Sequence, residues 1–171
     1  MSSAAPIAET RRLRLRALTT GDAAFIRELV NDPDWIRNIG DKGVRTLDDA
    51  RRYLESGPIA MVERRGFGLF AVELKASGEC AGICGLIRRE GFDDVDLGFA
   101  FLPRFRRAGY ALEASSAVLA DGRERLGLRR VVAIVSPGNE PSVQLLAKLG
   151  FRFERIVAFR GESLELYAVA T

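Results

Sequence analysis

The stretch RFRRAGYALEASSAVLADGRERLG, residues 104–127, sets two arginines, an alanine and a glycine at the threshold of a long amphipathic helix. A helix start already carries roughly half a positive charge from its aligned peptide dipoles, so Arg106 and Arg107 are electrostatically backward there unless something negative joins them. The run VDLGFAFL precedes this stretch and ends at Leu102-Pro103. The β-branched VVAIV follows from Val131 and reads as a strand buried on both faces. Strand, crossover helix from about Ala108 to Leu126 capped by Gly127, and strand make one βαβ unit with two parallel strands. Unpaired N–H groups at such a helix start point outward, and Gly109 lets a ligand approach the chain closely. That is phosphate-binding geometry, and Arg106 and Arg107 add charge suited to a pyrophosphate or ribose phosphate. The plainer alternative is a Gly109 that only permits close packing, with solvated arginines.

Outward from this unit the pattern changes twice. LRLRALT from Leu13 alternates like a half-buried strand, and Thr20-Gly21-Asp22 offers caps ahead of the helical AAFIRELV. Asn31-Asp32-Pro33-Asp34 is expected to break that helix, with irregular chain as far as Gly43. Thr46 to Asp49 opens a second helix that Gly57-Pro58 is expected to end, and Ile59 to Met61 is left as helical or extended. GLFAVEL, CAGICGLI and VDLGFAFL, separated by Lys75 to Gly78 and Glu90 to Asp93, read as an antiparallel meander. Beyond VVAIV come a short helix from Asn139 to Lys148 and two closing strands near Phe151 to Val157 and Leu164 to Val169. The expected fold is mixed α/β, largely antiparallel, and one domain spans 1–171 with its first dozen residues mobile.

The 171 residues are 47% hydrophobic and 29% charged, as in an ordinary globular chain. No signal-like opening and no run of about eighteen apolar residues occurs, so the expected address is cytoplasmic, with no membrane partner. The net charge of +3 is scattered as arginine pairs among acids, which favours a mildly basic surface over a nucleic-acid stripe. There is no histidine, which excludes Ser-His-Asp triads, Cys-His dyads and His-ligated metals. Cys80 and Cys84 are expected on one face of one strand, too far apart for a disulfide, as small core residues.

Neither the Walker A ending G-K-[ST] nor the dinucleotide fingerprint G-x-G-x-x-G is present. What remains is R-x-x-G-x-A, at Arg106, Gly109 and Ala111, followed thirty residues on by Asn139-Glu140-Pro141-Ser142 through Lys148, Gly150 and Phe151. Here the chain resembles the GNAT superfamily of acyl-CoA-dependent N-acetyltransferases, whose loop is [QR]-x-x-G-x-[GA]. N-x-x-S-x-x-x-x-x-K-x-G-F, the opening ETRRLRLRALTTGDAAFI, NDPDW and GYALEA are similar to its RimJ/RimL-like branch of ribosomal-protein N-terminal acetyltransferases. The resemblance runs from about Glu9 to the last strand.

It implies a GNAT fold of about seven strands and about four helices, in which a central parallel pair splays apart to admit the pantetheine arm of acetyl-CoA, a co-substrate that needs no metal. By position, Phe99, Ala100 and Phe101 would bond pantetheine. The pyrophosphate would fall to Arg106, Arg107, Ala108, Gly109, Tyr110, Ala111 and Leu112, and Asn139 would bond the arm while also capping its helix. The family's usual tyrosine acid falls on Leu146, so that residue cannot protonate the leaving thiolate. Ser142 matches a serine thought to serve the CoA sulfur in this branch. Asp96 falls where relatives often carry a glutamate base, with Asp93 and Asp94 as alternatives. Trp35, Ile36, Ile39 and Phe159 are expected to line the groove for the amine, whether a protein N-terminus, amino sugar, polyamine or free amino acid. A homodimer is left open. The rival reading is a GNAT-fold module that binds acyl-CoA without turnover.

Overall fold

The computed structural model describes residues 5–171, in which eight strands form one sheet in the order β1-β2-β3-β4-β5-β6-β8-β7. Its strands are β1 (Ala8–Glu9), β2 (Leu13–Ala17), β3 (Leu69–Leu74), β4 (Cys80–Ile87), β5 (Asp96–Phe101), β6 (Arg130–Val135), β7 (Arg152–Phe159) and β8 (Glu162–Ala170). All neighbours are antiparallel except β5 and β6, the parallel pair that the βαβ reading requires. Period-two alternation assigns each strand's side chains to opposite faces. On one face Leu13, Leu15, Phe70, Val72 and Leu97 pack under Ala114 and Val118 of α5 (Tyr110–Glu124) and Leu146 of α6 (Glu140–Lys148). On the other, Ala71 and Ile83 meet Ile26 and Val30 of α1 (Ala23–Val30), Trp35 of α2 (Pro33–Asn38) and Leu54 of α3 (Leu47–Leu54). No helix among the described residues is long and apolar enough to cross a membrane.

The local departures from expectation have local causes. Asn31 to Asp34 does end α1, but Pro33 at the first helical position starts α2 at once, its fixed φ being preset for a helix. Gly57-Pro58 does not end the second helix. One π turn over Glu55–Ile59 accommodates the proline, and the helix runs on as α4 (Ala60–Arg65) to Gly66, so Ile59 to Met61 is helical. Counting that run once and leaving aside two single 3-10 turns, there are five helices among the described residues. The extra strand is β1, whose Ala8 and Glu9 pair with Leu15 and Arg14. Residues 8–12, which the sequence reading expects to be mobile, hold β1 and the turn into β2; residues 1–4 lie outside the described part.

A β-bulge corrects the cysteine reading. The β3–β4 register shifts at Val72/Glu73, so Cys80 and Cys84 fall on opposite faces despite their even spacing. Cys84 lies beneath α5 near Ser115, and the Arg16 guanidinium donates to the Cys80 sulfur at 3.2 Å. Burial pushes the thiol of Cys80 up to about 11 and that of Cys84 up to about 12, so both are inert at neutral pH.

Candidate active site

The parallel pair is short. Asp96 stands opposite Val132, whose N–H donates to the carbonyl of Val95 at 2.9 Å. The next β6 donor, the N–H of Ile134, goes to the Asp96 carboxylate, and no further rung joins the two strands. A slot through the sheet begins there. Main-chain groups of alternate residues share a direction, so Phe99 and Phe101, in phase with Val95, face the slot. Ala100 is out of phase and turns its main chain toward β4, which removes it from the expected pantetheine contacts.

The start of α5 lies at one mouth of this slot. Arg107 and Gly109 both adopt left-handed backbone, at φ 61° and 82°, which curls the loop so that successive N–H groups converge. The first intrahelical bond of that turn runs from Glu113 N–H to Gly109 O at 3.1 Å, and no side chain caps the helix. By contrast, the carboxylate and hydroxyl of a capping box close the start of α3. Donors from Arg107 to Leu112 therefore await an acceptor from outside.

The two loop arginines part company. Arg107 is exposed and bonds nothing among the described residues. Arg106 turns away: its guanidinium bonds Asp32 and Asp34 at 2.6 Å each and donates to the carbonyl of Phe101 at 2.9 Å. The expectation that its side chain holds phosphate is corrected, because two carboxylates at the start of α2 already neutralise it. Arg106→Gln is expected to leave the nearly buried Asp32 unpaired and to cost about 1–2 kcal/mol, between exposed and buried ion pairs. A lower melting temperature with CoA affinity kept within a few-fold checks this.

Arg12 supplies the contact to this loop that sequence reading missed. Its guanidinium lies 4.4 Å from the Tyr110 ring centre, donates to Ala108 O at 2.9 Å and pairs with Glu113 at 2.7 Å. Thr10 also donates to Glu113, at 2.5 Å, so β1 and β2 are tied to the first turn of α5. Glu113, the acid in that first turn, was the available signal.

Across the slot, Asn139 caps α6: its side-chain oxygen accepts the N–H of Ser142 at 3.5 Å. The Ser142 hydroxyl is part-buried and bonds nothing among the described residues, whereas Leu146, one turn on, is fully buried core. Ser136, after β6, donates to Asn38 O at 2.8 Å and so fastens the end of α2 near this mouth.

On the opposite face, alternation from Leu97 puts the Asp96 side chain with the α1–α4 layer. It is only 2% exposed, paired with Arg89, and its burial pushes the pKa up to about 6 although Arg89 opposes the shift. Beside it opens a cleft of about 860 Å³ bounded by the β4–β5 loop and the β7–β8 hairpin, with Ile87, Val132 and Phe159 in its wall. Of the alternative bases, Asp94 is paired with Arg130 at 3.0 Å and Asp93 is an exposed loop residue. Phe159 lines this cleft. Ile36 and Ile39 are exposed, at 39% and 47%, on α2 and just beyond it. Trp35 instead is packed in the core between α1 and α3, with its indole N–H unpartnered, because at this point the apolar face of α2 turns toward the sheet.

A family model described as an acetyltransferase (GNAT) domain matches residues 12–152. An uncharacterised N-acetyltransferase of Bacillus subtilis (strain 168), YoaA, is 30% identical over 153 residues, covering 89% of this chain and 86% of its own. An acetyltransferase from Agrobacterium tumefaciens str. C58 superposes with a TM-score of 0.83 at 25% identity, over 99% of this chain and 96% of that one. The ribosomal L7/L12 alpha-N-protein acetyltransferase RimL, solved with coenzyme A, has the same fold, with a TM-score of 0.80 at 18% identity over 96% of this chain and 97% of its own. With a splayed strand pair, an uncapped helix start and a family match over most of its length, the chain belongs to the GNAT acetyltransferase family and is an acetyltransferase enzyme.

Proposed function

We propose that the protein moves an acetyl group from acetyl-CoA to a primary amine by direct attack in a ternary complex. One observation carries this: beyond the Asp96/Val132 bridge β5 and β6 are no longer paired, and the unpaired stretch lies between the uncapped start of α5 and the buried carboxylate of Asp96. The residues fit the co-substrate. N–H groups from Arg107 to Leu112, flanked by Arg12 and Arg107, suit a pyrophosphate, and the main chain of Phe99 and Phe101 with Asn139 suits an amide-bearing arm. Acetyl-CoA, when bound, supplies an activated acyl group as a thioester.

Asp96 takes the proton that the ammonium must lose before nitrogen can attack. A carboxyl near 6 is largely ionised at neutral pH yet basic enough to accept a proton, directly or through one water. Ser142 Oγ donates a hydrogen bond to the departing sulfur; its lack of a hydrogen-bond partner among the described residues supports the assignment. Ser142→Ala is then expected to lower kcat roughly ten- to a thousandfold with CoA affinity nearly unchanged. The cap survives that change, because Asn139 bonds the backbone of Ser142 and not its hydroxyl. A normal kcat would assign the serine to structure alone.

The acceptor reading is tested by free-thiol release from acetyl-CoA across Ala-, Ser- and Met-starting peptides, amino acids, polyamines and aminoglycosides. Release that requires an amine, with one N-acetylated product per thiol, is the expected result. CoA binding with no amine-dependent release across the panel would instead fit a non-catalytic module. A protein N-terminus belongs in the panel because RimL, which shares the fold, is an alpha-N-protein acetyltransferase.

A further inference from the structure

The cleft beside Asp96 gathers like charges. Arg89 and Arg160 lie 5.2 and 5.0 Å from the centre of the same Phe159 ring, which Phe92 packs against at 5.7 Å. Lys42, in the chain between α2 and α3, is close enough to both that their charges add to its own partial burial in lowering its pKa. Two guanidiniums share one aromatic ring with Lys42 close by, these cations repel one another, and the nearby acids do not offset them all. Asp96 answers Arg89, Asp94 is engaged by Arg130, and Glu90 and Asp93 are exposed in the β4–β5 loop. Arg160 also holds left-handed backbone at φ 49°, a conformation unfavourable for a non-glycine residue, at the hairpin tip.

Such a site is built for an anion. Arg89 touches both Asp96 and the Phe159 ring, so the carboxylate that receives the amine proton and the unanswered charge of Arg160 are separated by one guanidinium and one aromatic ring. The cleft volume of about 860 Å³ falls in the small-molecule range.

We infer that the acceptor is a small amine carrying a carboxylate or phosphate within a few bonds of its nitrogen, with Arg160 binding the oxyanion, Lys42 adding charge nearby, and the amine directed toward Arg89 and Asp96. This rests on the reading of the cleft as the acceptor site. Polyamines and aminoglycosides, which bring only positive charge, are disfavoured by the same field.

Matched pairs test it: L-alanine and L-glutamate against their α-amides, phosphoethanolamine against ethanolamine, and Ala-Ala against Ala-Ala amide, with spermidine as the cationic control. The anionic member of a pair should show kcat/KM at least tenfold above its neutral partner, and the carboxylate and phosphate arms show which oxyanion is used. Arg160→Gln should raise KM for the anionic amine by ten- to a hundredfold with kcat within about threefold, collapsing the preference. Lys42→Gln should act in the same direction. Neutral or cationic amines acetylated equally well or better would overturn the inference.

Binding is read separately from turnover. With CoA present, the anionic amine should raise the melting temperature of the wild type but not of Arg160→Gln, and the amide should raise neither. If no amine is acetylated while this selective shift persists, acetyl transfer fails and the anion site stands. Acetylation of amines regardless of charge leaves the transferase reading intact and removes the anion site.

Discussion

Gly109→Asp is expected to lower affinity for CoA at least a hundredfold by calorimetry, about 3 kcal/mol of binding free energy. At φ 82° the position suits glycine, and a Cβ placed there would lie 3.2 Å from Nη2 of Arg12. An aspartate would turn its carboxylate to that guanidinium and into the converging N–H groups, the place where phosphate charge belongs. Gly109→Ala separates strain from charge. It should cost roughly 1 kcal/mol of stability from the left-handed backbone while keeping most of the affinity. A folded Gly109→Asp that binds CoA normally would move the phosphates elsewhere.

Asp96→Asn is expected to reduce kcat by about 10²–10⁴, the usual range for a lost general base. The pH dependence gives the sharper test. Because burial raises the Asp96 carboxyl to about 6, wild-type kcat should fall below that pH as the base is protonated, and the variant should lack this acid limb. The linkage sign runs the other way for stability. A carboxyl pKa raised on folding contributes stability that is full below its unfolded value near 4 and is lost as pH rises through about 6. Asparagine, which stays neutral and can still accept the Ile134 N–H, should therefore not destabilise the fold at pH 7. An active variant with an unchanged acid limb would return Asp96 to a structural ion pair.

Much of the architecture was legible because it rests on local chemistry. The meander, the βαβ unit and both late strands announce themselves through period-two runs and turn residues, and Asn139 reads as a cap because its side chain suits no other position as well. The errors come where tertiary partners decide. Nothing near Arg106 in sequence indicates that Asp32 and Asp34 will take its charge, and nothing near Arg12 indicates that it will reach Ala108. Even spacing placed Cys80 and Cys84 together until a bulge, set by pairing with β3, turned one of them over. The charge gathered at the cleft was equally hidden. Arg89 and Arg160 are far apart in the chain and meet because the β7–β8 hairpin lies beside the β4–β5 loop, with Lys42 brought close from the chain between α2 and α3.

The slot and the helix start together make the central claim, that this chain binds an acyl-CoA across the β5–β6 gap. Its most direct measurement is the melting temperature of the wild type at rising CoA concentration. Ligand binding only the native state stabilises it by about 2.7 kcal/mol at a hundred times Kd, so the transition should climb with the logarithm of CoA, and Gly109→Asp should remain flat. No shift of the wild type at millimolar CoA would contradict the account.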